Sequence, residues 1–218
     1  MNDKLVEYSF YLTYAFLVTT GTITFIESLR TENKSMRHIL NLETCISIIA
    51  TFFYSHFVGE FKTHGPIDYK SININRYVDW AITTPIMLLV LILAFRYNST
   101  GTASVSLYDY FIIGVLNYSM LLIGYLGELD VLNKLFANIF SFFFFGIMFA
   151  FIYNRYLLNN NNSQNNLLFY VFLILWSLYG VIYLMKNEFR NVGYNVLDLF
   201  AKCFVGLYFW ATFTKIFI

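Results

Sequence analysis

Long apolar runs dominate the chain and are separated by short polar segments. A membrane-spanning helix needs about 20 mostly apolar residues, because the hydrocarbon layer is about 30 Å thick and a helix rises about 1.5 Å per residue. Seven such runs can be delimited: 5–29, 37–60, 76–96, 105–126, 132–157, 166–185 and 192–217. Backbone polar groups in lipid must be satisfied within each segment, so we predict seven transmembrane helices.

The connecting segments support this division because they are polar and rich in turn formers. They include RTENKSM, FKTHGPIDYKSININ, YNSTGTAS and NNNNSQNN. The asparagine run 159–162 has low complexity, and we interpret it as a solvated loop. The pattern therefore predicts an all-α membrane protein, with one seven-helix domain over residues 1–218 and the lipid bilayer as its surroundings.

Composition narrows the class further. Hydrophobic residues make up 58% of the chain and charged residues only 12%, about half the charged share of a soluble domain. The net charge of +1 provides no basic face, which argues against nucleic acid as a partner. The two cysteines have neither disulfide-framework nor metal-site spacing, so no metal is expected. With the N-terminus outside, six lysines and arginines fall on each side, and charge does not decide the orientation.

Ionisable residues inside apolar runs are costly and usually functional. Asp198 and Lys202 lie four residues apart in the seventh run, which puts them on one helix face. A buried lysine that loses its proton can form a Schiff base with an aldehyde. A structural Lys–Asp pair between helices fits the same spacing. In the third run, Arg76 precedes Asp79 by about one turn and Thr83 follows on the same face, which also fits a packed ion pair.

Three segments resemble motifs of the microbial (type 1) rhodopsins. RYVDWAITTP is similar to their third-helix motif, DLFAKCFVG to their retinal-lysine motif, and WSLYGVIY to their sixth-helix motif, with NYSMLLIGYLG as a weaker match. The short chain, the abundance of Asn, Ile, Phe and Tyr, and a glutamate in the second run also resemble the rhodopsins of giant viruses. The resemblance implies a seven-helix bundle with retinal in its core, a non-enzymatic protein, and an extracellular N-terminus.

The resemblance also implies roles for individual residues. Lys202 would carry all-trans retinal as a protonated Schiff base, with Asp79 as main counter-ion and proton acceptor. Asp198 would be a second counter-ion held by Tyr54 and Tyr179, and Arg76 would lie on the extracellular side. The retinal pocket implied by the family is formed by Trp80, Thr84, Met87, Met120, Gly124, Trp176, Tyr179, Tyr183, Ala201 and Tyr54.

The chain departs from the proton-pump pattern at several of these motifs. Val90 occupies the position at which pumps usually carry a carboxylic proton donor, and Gly180 and Asn117 replace the usual proline and aspartate. Glu43 lies eleven residues before Tyr54, as Val90 lies eleven after Asp79. Because the two helices are antiparallel, Glu43 should lie at the depth of the missing donor, about 16 Å along the axis. We hypothesise that it is protonated at rest and reprotonates the Schiff base; a carboxyl that only packs against a neighbouring helix is the alternative.

We therefore predict light-driven ion transport, in the form of an outward proton pump. The acid at Asp79, with Thr83 beside it, favours protons over chloride. A light-gated cation channel is one alternative, in which Glu43, Asn191 and Asn195 would line a polar path. A sensory photoreceptor that works through a partner is another. The resemblance to giant-virus rhodopsins implies a homo-oligomer, specifically a pentamer with a central opening. Glu27 and Arg37 are expected to pair across a loop or an oligomer axis.

Overall fold

In the part of the chain that the structure describes, seven helices are long and apolar enough to cross a membrane, and together they form the bundle. The structure, a computed structural model, describes residues 3–61, 67–160 and 162–214. The helical elements are α1 (Asp3–Arg30), α2 (Lys34–Glu60), α3 (Tyr69–Thr100), α4 (Leu107–Glu128), α5 (Lys134–Ile152), α6 (Ser163–Tyr183), α7 (Asn187–Asp198) and α8 (Val205–Thr214). The seventh span, Asn187–Thr214, comprises α7, a π-helical segment and α8. We call the end of the bundle at which α1 begins the N-terminal face, and the opposite end the C-terminal face.

The predicted spans are all present, but the third and the seventh begin at least five residues earlier than the sequence indicated. The third span begins at Tyr69, so residues 69–75 of the predicted loop are helical, and the Asp68 side chain caps this helix by accepting from the Ser71 N–H at 3.0 Å. The seventh begins at Asn187 rather than 192. Both extensions are rich in polar residues, which an apolar-run criterion does not detect. Residues 215–217 of the predicted seventh run lie outside the described part.

The third span is the most buried of the seven and forms the centre of the bundle. Its second half packs against α5 and α6 in an apolar core, in which Val90, Leu91 and Ile92 have no exposed surface. A second apolar cluster joins α1 and α2 around Phe10, Tyr54 and Phe57. The remaining helix faces expose large apolar side chains, as expected for surfaces that contact lipid.

The described residues 159, 160 and 162 of the asparagine run lie outside the helices, as the loop interpretation predicted. The asparagine run is not simply a solvated loop: Asn160 donates to Ser99, and Asn162 caps α6 and donates to the Asn98 carbonyl at 3.1 Å; residue 161 lies outside the described part. Side-chain amides can cap helix ends and bond free carbonyl groups, so this run also stabilises the adjoining helices.

Glu27 and Arg37 do not pair within the chain. Glu27 lies 3.8 Å from Arg30 one turn away, and Arg37 donates to the Thr31 carbonyl at 2.7 Å. Each side chain therefore has a different local partner: Arg30 for Glu27, and the Thr31 carbonyl for Arg37.

Candidate functional site

A buried ion cluster occupies the centre of the bundle. The Lys202 Nζ donates to Asp79 Oδ2 at 2.6 Å and lies 3.7 Å from Asp198 Oδ1. Each of these three side chains is at most 2% exposed. Lys202 belongs to the π-helical segment Leu199–Phe204, a widened turn of the kind often found at functional sites. Asp198 and Lys202 lie on one helix face, as their spacing predicted, and both carboxylates face one amine.

Arg76 and two tyrosines complete the cluster. Arg76 Nη1 lies 3.8 Å from Asp198 Oδ2, so two cations and two carboxylates balance each other. The hydroxyls of Tyr54 and Tyr179 donate to Asp198 at 2.7 and 2.6 Å, the arrangement expected from the sequence. The guanidinium of Arg76 also packs over four aromatic rings, those of Phe10, Tyr54, Phe57 and Tyr194. Hydrogen bonds and opposite charges offset the cost of burying these ions.

A cavity opens from Lys202 between α3, α4, α5 and α6. Its wall is mostly apolar and aromatic, as is typical of small-molecule sites. Eight of the predicted pocket residues line it together with Lys202: Trp80, Thr84, Met87, Met120, Gly124, Trp176, Tyr179 and Tyr183, with Asp198 beside the amine. Ala201 and Tyr54 are buried but are not part of this wall. Ala201 precedes Lys202, and Tyr54 faces Asp198 instead.

The cavity fits the polyene that the sequence resemblance implies. An apolar wall suits a hydrocarbon chain, and the Lys202 amine provides the attachment point for its aldehyde. Two glycines create room: a Cβ at position 124 would lie 2.7 Å from the Tyr77 hydroxyl, and one at position 180 would collide with the Phe142 ring. Gly180 therefore allows α5 and α6 to approach closely, and α6 continues through it without a break.

Thr83 and Glu43, two further predicted site residues, do not bond the side chains of the Lys202 cluster. The Thr83 hydroxyl donates to the Asp79 backbone carbonyl at 2.9 Å, and not to its carboxylate. Glu43 is 2% exposed and makes no hydrogen bond among the described residues. Its Oε2 would lie 3.2 Å from a Cβ placed on Gly206, which is about one turn beyond Lys202 on the same helix. Glu43 thus lies on the C-terminal side of the cluster.

The sequence analysis missed a polar network on the opposite, N-terminal side. Arg76 Nε donates to Asn191, Asn191 donates to Asn73 at 3.1 Å, and Asn73 reaches Asn187 at 3.5 Å. Beyond Asn187, Arg190 pairs with Glu128 through two hydrogen bonds of 2.9 and 3.0 Å.

A signal for this network was present in the sequence. Asn187, Asn191 and Asn195 recur every four residues and so form a stripe on one face of α7. Glu128 and Arg190, each 4% or less exposed, gave no such signal, because they are distant in sequence and lie at the ends of helices.

Comparison with known proteins agrees with this geometry. The family model described as bacteriorhodopsin-like protein matches residues 4–216. The crystal structure of viral rhodopsin OLPVRII is 60% identical with a TM-score of 0.93, over 98% of this chain and 100% of that one. The green-light absorbing proteorhodopsin of Gamma-proteobacterium EBAC31A08 is 26% identical over 230 residues, covering 95% of this chain and 86% of the relative.

A more distant structure shares the fold. Xanthorhodopsin, described as a light-driven ion pump with dual chromophore, is 18% identical with a TM-score of 0.78, over 98% of this chain and 94% of that one. The matched family binds retinal through a Schiff base to a lysine, and Lys202 is a buried lysine in the seventh span. The chain therefore belongs to the bacteriorhodopsin-like family of microbial rhodopsins, retinal-binding membrane proteins of light-driven ion transport, and is similar to a viral member.

Proposed function

We propose that this rhodopsin is an outward proton pump in which Asp79 accepts the proton of the Lys202 nitrogen. The observation that carries the proposal is the 2.6 Å contact between Lys202 Nζ and Asp79 Oδ2. A proton can cross this distance in one step, and an acceptor acid within hydrogen-bond reach is the first requirement for such a transfer. The second carboxylate, Asp198, stays bound by two tyrosine hydroxyls and is a poorer acceptor for that reason.

Retinal supplies a light-driven isomerisation that changes the environment of the nitrogen to which it is bound. The residues of the chain handle the proton. In the dark, Asp79 and Asp198 hold a proton on Lys202 Nζ; after light, that proton moves to the Asp79 carboxylate, which becomes neutral. Arg76 then faces one carboxylate instead of two, and the loss of one negative charge favours release of a proton toward the N-terminal face.

We propose Glu43 as the group that returns a proton to Lys202 from the C-terminal side. A carboxyl buried without a hydrogen bond or an opposite charge is favoured in its protonated form, as a donor must be at rest. The absence of a hydrogen bond to any described residue also disfavours the alternative in which this carboxyl only holds two helices together.

The packing favours a pump over a channel. Between the cluster and the C-terminal face, α3 contributes Val90, Leu91 and Ile92, all without exposed surface. Asn191 and Asn195 bond Arg76 on the N-terminal side, whereas Glu43 lies near Gly206 on the other. These polar groups are therefore separated by the Lys202 cluster and do not line a common pore.

The test is photocurrent recording with ionic substitution. We expect an outward current carried by protons that keeps its sign at all voltages, and that is lost in Asp79→Asn. In flash photolysis, Glu43→Gln should slow reprotonation of the Lys202 nitrogen by on the order of 100-fold, with azide restoring the rate. A current that reverses with voltage would support a channel. Spectral changes without any current would support a sensory photoreceptor.

We extend the proposal to assembly and orientation. The resemblance to giant-virus rhodopsins supports a homo-pentamer whose N-termini face the outside of the cell. Native mass spectrometry of the protein in mild detergent should give five chains per particle, and a monomer alone would contradict this part of the proposal.

A further inference from the structure

Two buried hydroxyls in the described part of the chain have no hydrogen-bond partner. Thr20 Oγ1 and Ser47 Oγ belong to side chains with no exposed surface, and neither forms a hydrogen bond. Leaving such a group unsatisfied destabilises the folded protein. Buried hydroxyls without protein partners are typically satisfied by internal water. Nearby Thr24 and Thr44 differ, because their hydroxyls bond each other at 2.9 Å.

These two hydroxyls lie between Glu43 and Lys202. Ser47 follows Glu43 by four residues on α2, so it is on the same face and about 6 Å nearer the level of Tyr54. Thr20, on α1, lies beside the thiol of Cys203, the residue after Lys202. The unsatisfied groups are therefore at the depth that a returning proton has to cross.

Gly206 brings the same groups against the helix that carries Lys202. A Cβ at position 206 would lie 2.9 Å from Thr20 Cγ2 and 3.2 Å from Glu43 Oε2. The lack of a side chain thus lets α1 and the Glu43 carboxyl approach the last span closely. The helices α1 and α2 are also close at this level, because a Cβ on Gly21 would lie 3.1 Å from Ser47 Cβ.

We propose that Thr20, Ser47 and Gly206 form a binding site for internal water that carries the proton from Glu43 to Lys202. The inference rests on the donor role proposed for Glu43 and adds its route, between α1, α2 and the last span. Glu43 loses a proton and becomes a carboxylate, a bound water passes one proton on, and Lys202 Nζ gains one. Water is regenerated in the exchange. Thr20 and Ser47 are positioning residues, because their hydroxyls hold water and are not consumed.

The first experiment is flash photolysis of the retinal-bound protein. Thr20→Val and Ser47→Ala should each slow reprotonation of the Lys202 nitrogen by about tenfold or more. Thr22→Val and Ser55→Ala are matched controls, since these exposed hydroxyls bond carbonyls of their own helices at 2.8 and 2.7 Å. Thr20→Ser, which keeps the hydroxyl but removes a methyl group, should retain the wild-type rate.

The second experiment detects the water directly. Infrared spectra of the dark protein and of the retinal-free protein, recorded in ordinary and ¹⁸O-labelled water, should contain isotope-sensitive O–H stretching bands that weaken in Thr20→Val and Ser47→Ala. Wild-type rates and bands in both variants, with Glu43→Gln slow, would overturn this inference and leave the donor proposal intact. Wild-type kinetics in Glu43→Gln itself would overturn both.

Discussion

At the residue scale, the two carboxylates around Lys202 are expected to differ in function because they differ in partners. Asp198 receives hydrogen bonds from two tyrosines, whereas Asp79 bonds Lys202 and leaves its Oδ1 without a partner. A carboxylate with fewer donors binds a proton more readily.

Asp79→Asn should therefore reduce light-driven proton transport by on the order of 100-fold or more, since it removes the proposed acceptor. Asp198→Asn should retain transport in part, but shift the visible absorption band. Parallel measurements of photocurrent and absorption spectra on both variants provide the check. Equal transport in the two variants would show that either carboxylate can accept the proton.

The sequence was informative about these residues because ionisable side chains in apolar runs are rare, and helical spacing places Asp198 and Lys202 together. It was uninformative about Gly206 and Gly180. The effect of each glycine is that a residue of another helix can pack closely where a side chain would otherwise be. The sequence does not show which residue that is. The bonds of Thr83 to the Asp79 carbonyl and of Arg37 to the Thr31 carbonyl are local in the sequence and were also not predicted.

At the scale of elements, two arginine–carboxylate pairs join neighbouring helices and differ in burial. Glu128 on α4 and Arg190 on α7 are 4% and 2% exposed, whereas Asp109 on α4 pairs at 2.8 Å with Arg155, whose side chain is 59% exposed. Removing one partner of a buried pair leaves an uncompensated charge, which typically costs 3–5 kcal/mol. An exposed guanidinium instead recovers its hydration.

Glu128→Gln should therefore destabilise the protein by about 3–5 kcal/mol, and the matched variant Asp109→Asn by clearly less. Thermal loss of the visible absorption band, followed at a series of temperatures, compares the two. Equal midpoint temperatures for the two variants would mean that water reaches the Arg190 side chain, contrary to its burial.

A surface ion pair between elements gives a pH-dependent prediction. Lys70, at the start of α3, donates to Asp130 in the α4–α5 turn at 2.9 Å, and this bond lowers the pKa of Asp130 below its usual value. The stabilisation is present above the unfolded-state pKa and is lost as the pH falls through the lowered one. Lys70→Met should raise the pKa of Asp130, as measured by NMR titration of its carboxyl carbon, with Lys186→Met as a control. An unchanged value would show that the pair does not persist in solution.

At the scale of the whole molecule, the proposed pump mechanism fixes the direction of transport relative to the helices and not relative to the membrane. Asp79, Arg76 and the asparagine network lie on the N-terminal side of Lys202, and Glu43 lies on the C-terminal side. A proton accepted by Asp79 and replaced from Glu43 therefore moves toward the N-terminal face, whichever way the protein is inserted. Balanced loop charges left the insertion itself undecided.

Proteoliposomes separate these two questions. In one preparation, the accessibility of an N-terminal tag to external protease measures orientation, and a pH electrode records the response to light. We expect vesicles with external N-termini to acidify the medium, and vesicles with internal N-termini to make it alkaline, because the acceptor stays on the N-terminal side in both. Asp79→Asn, prepared in the same way, should give neither response. Alkalinisation by vesicles with exposed tags would reverse the assigned order of acceptor and donor, since the proton would then have entered from the side of Arg76.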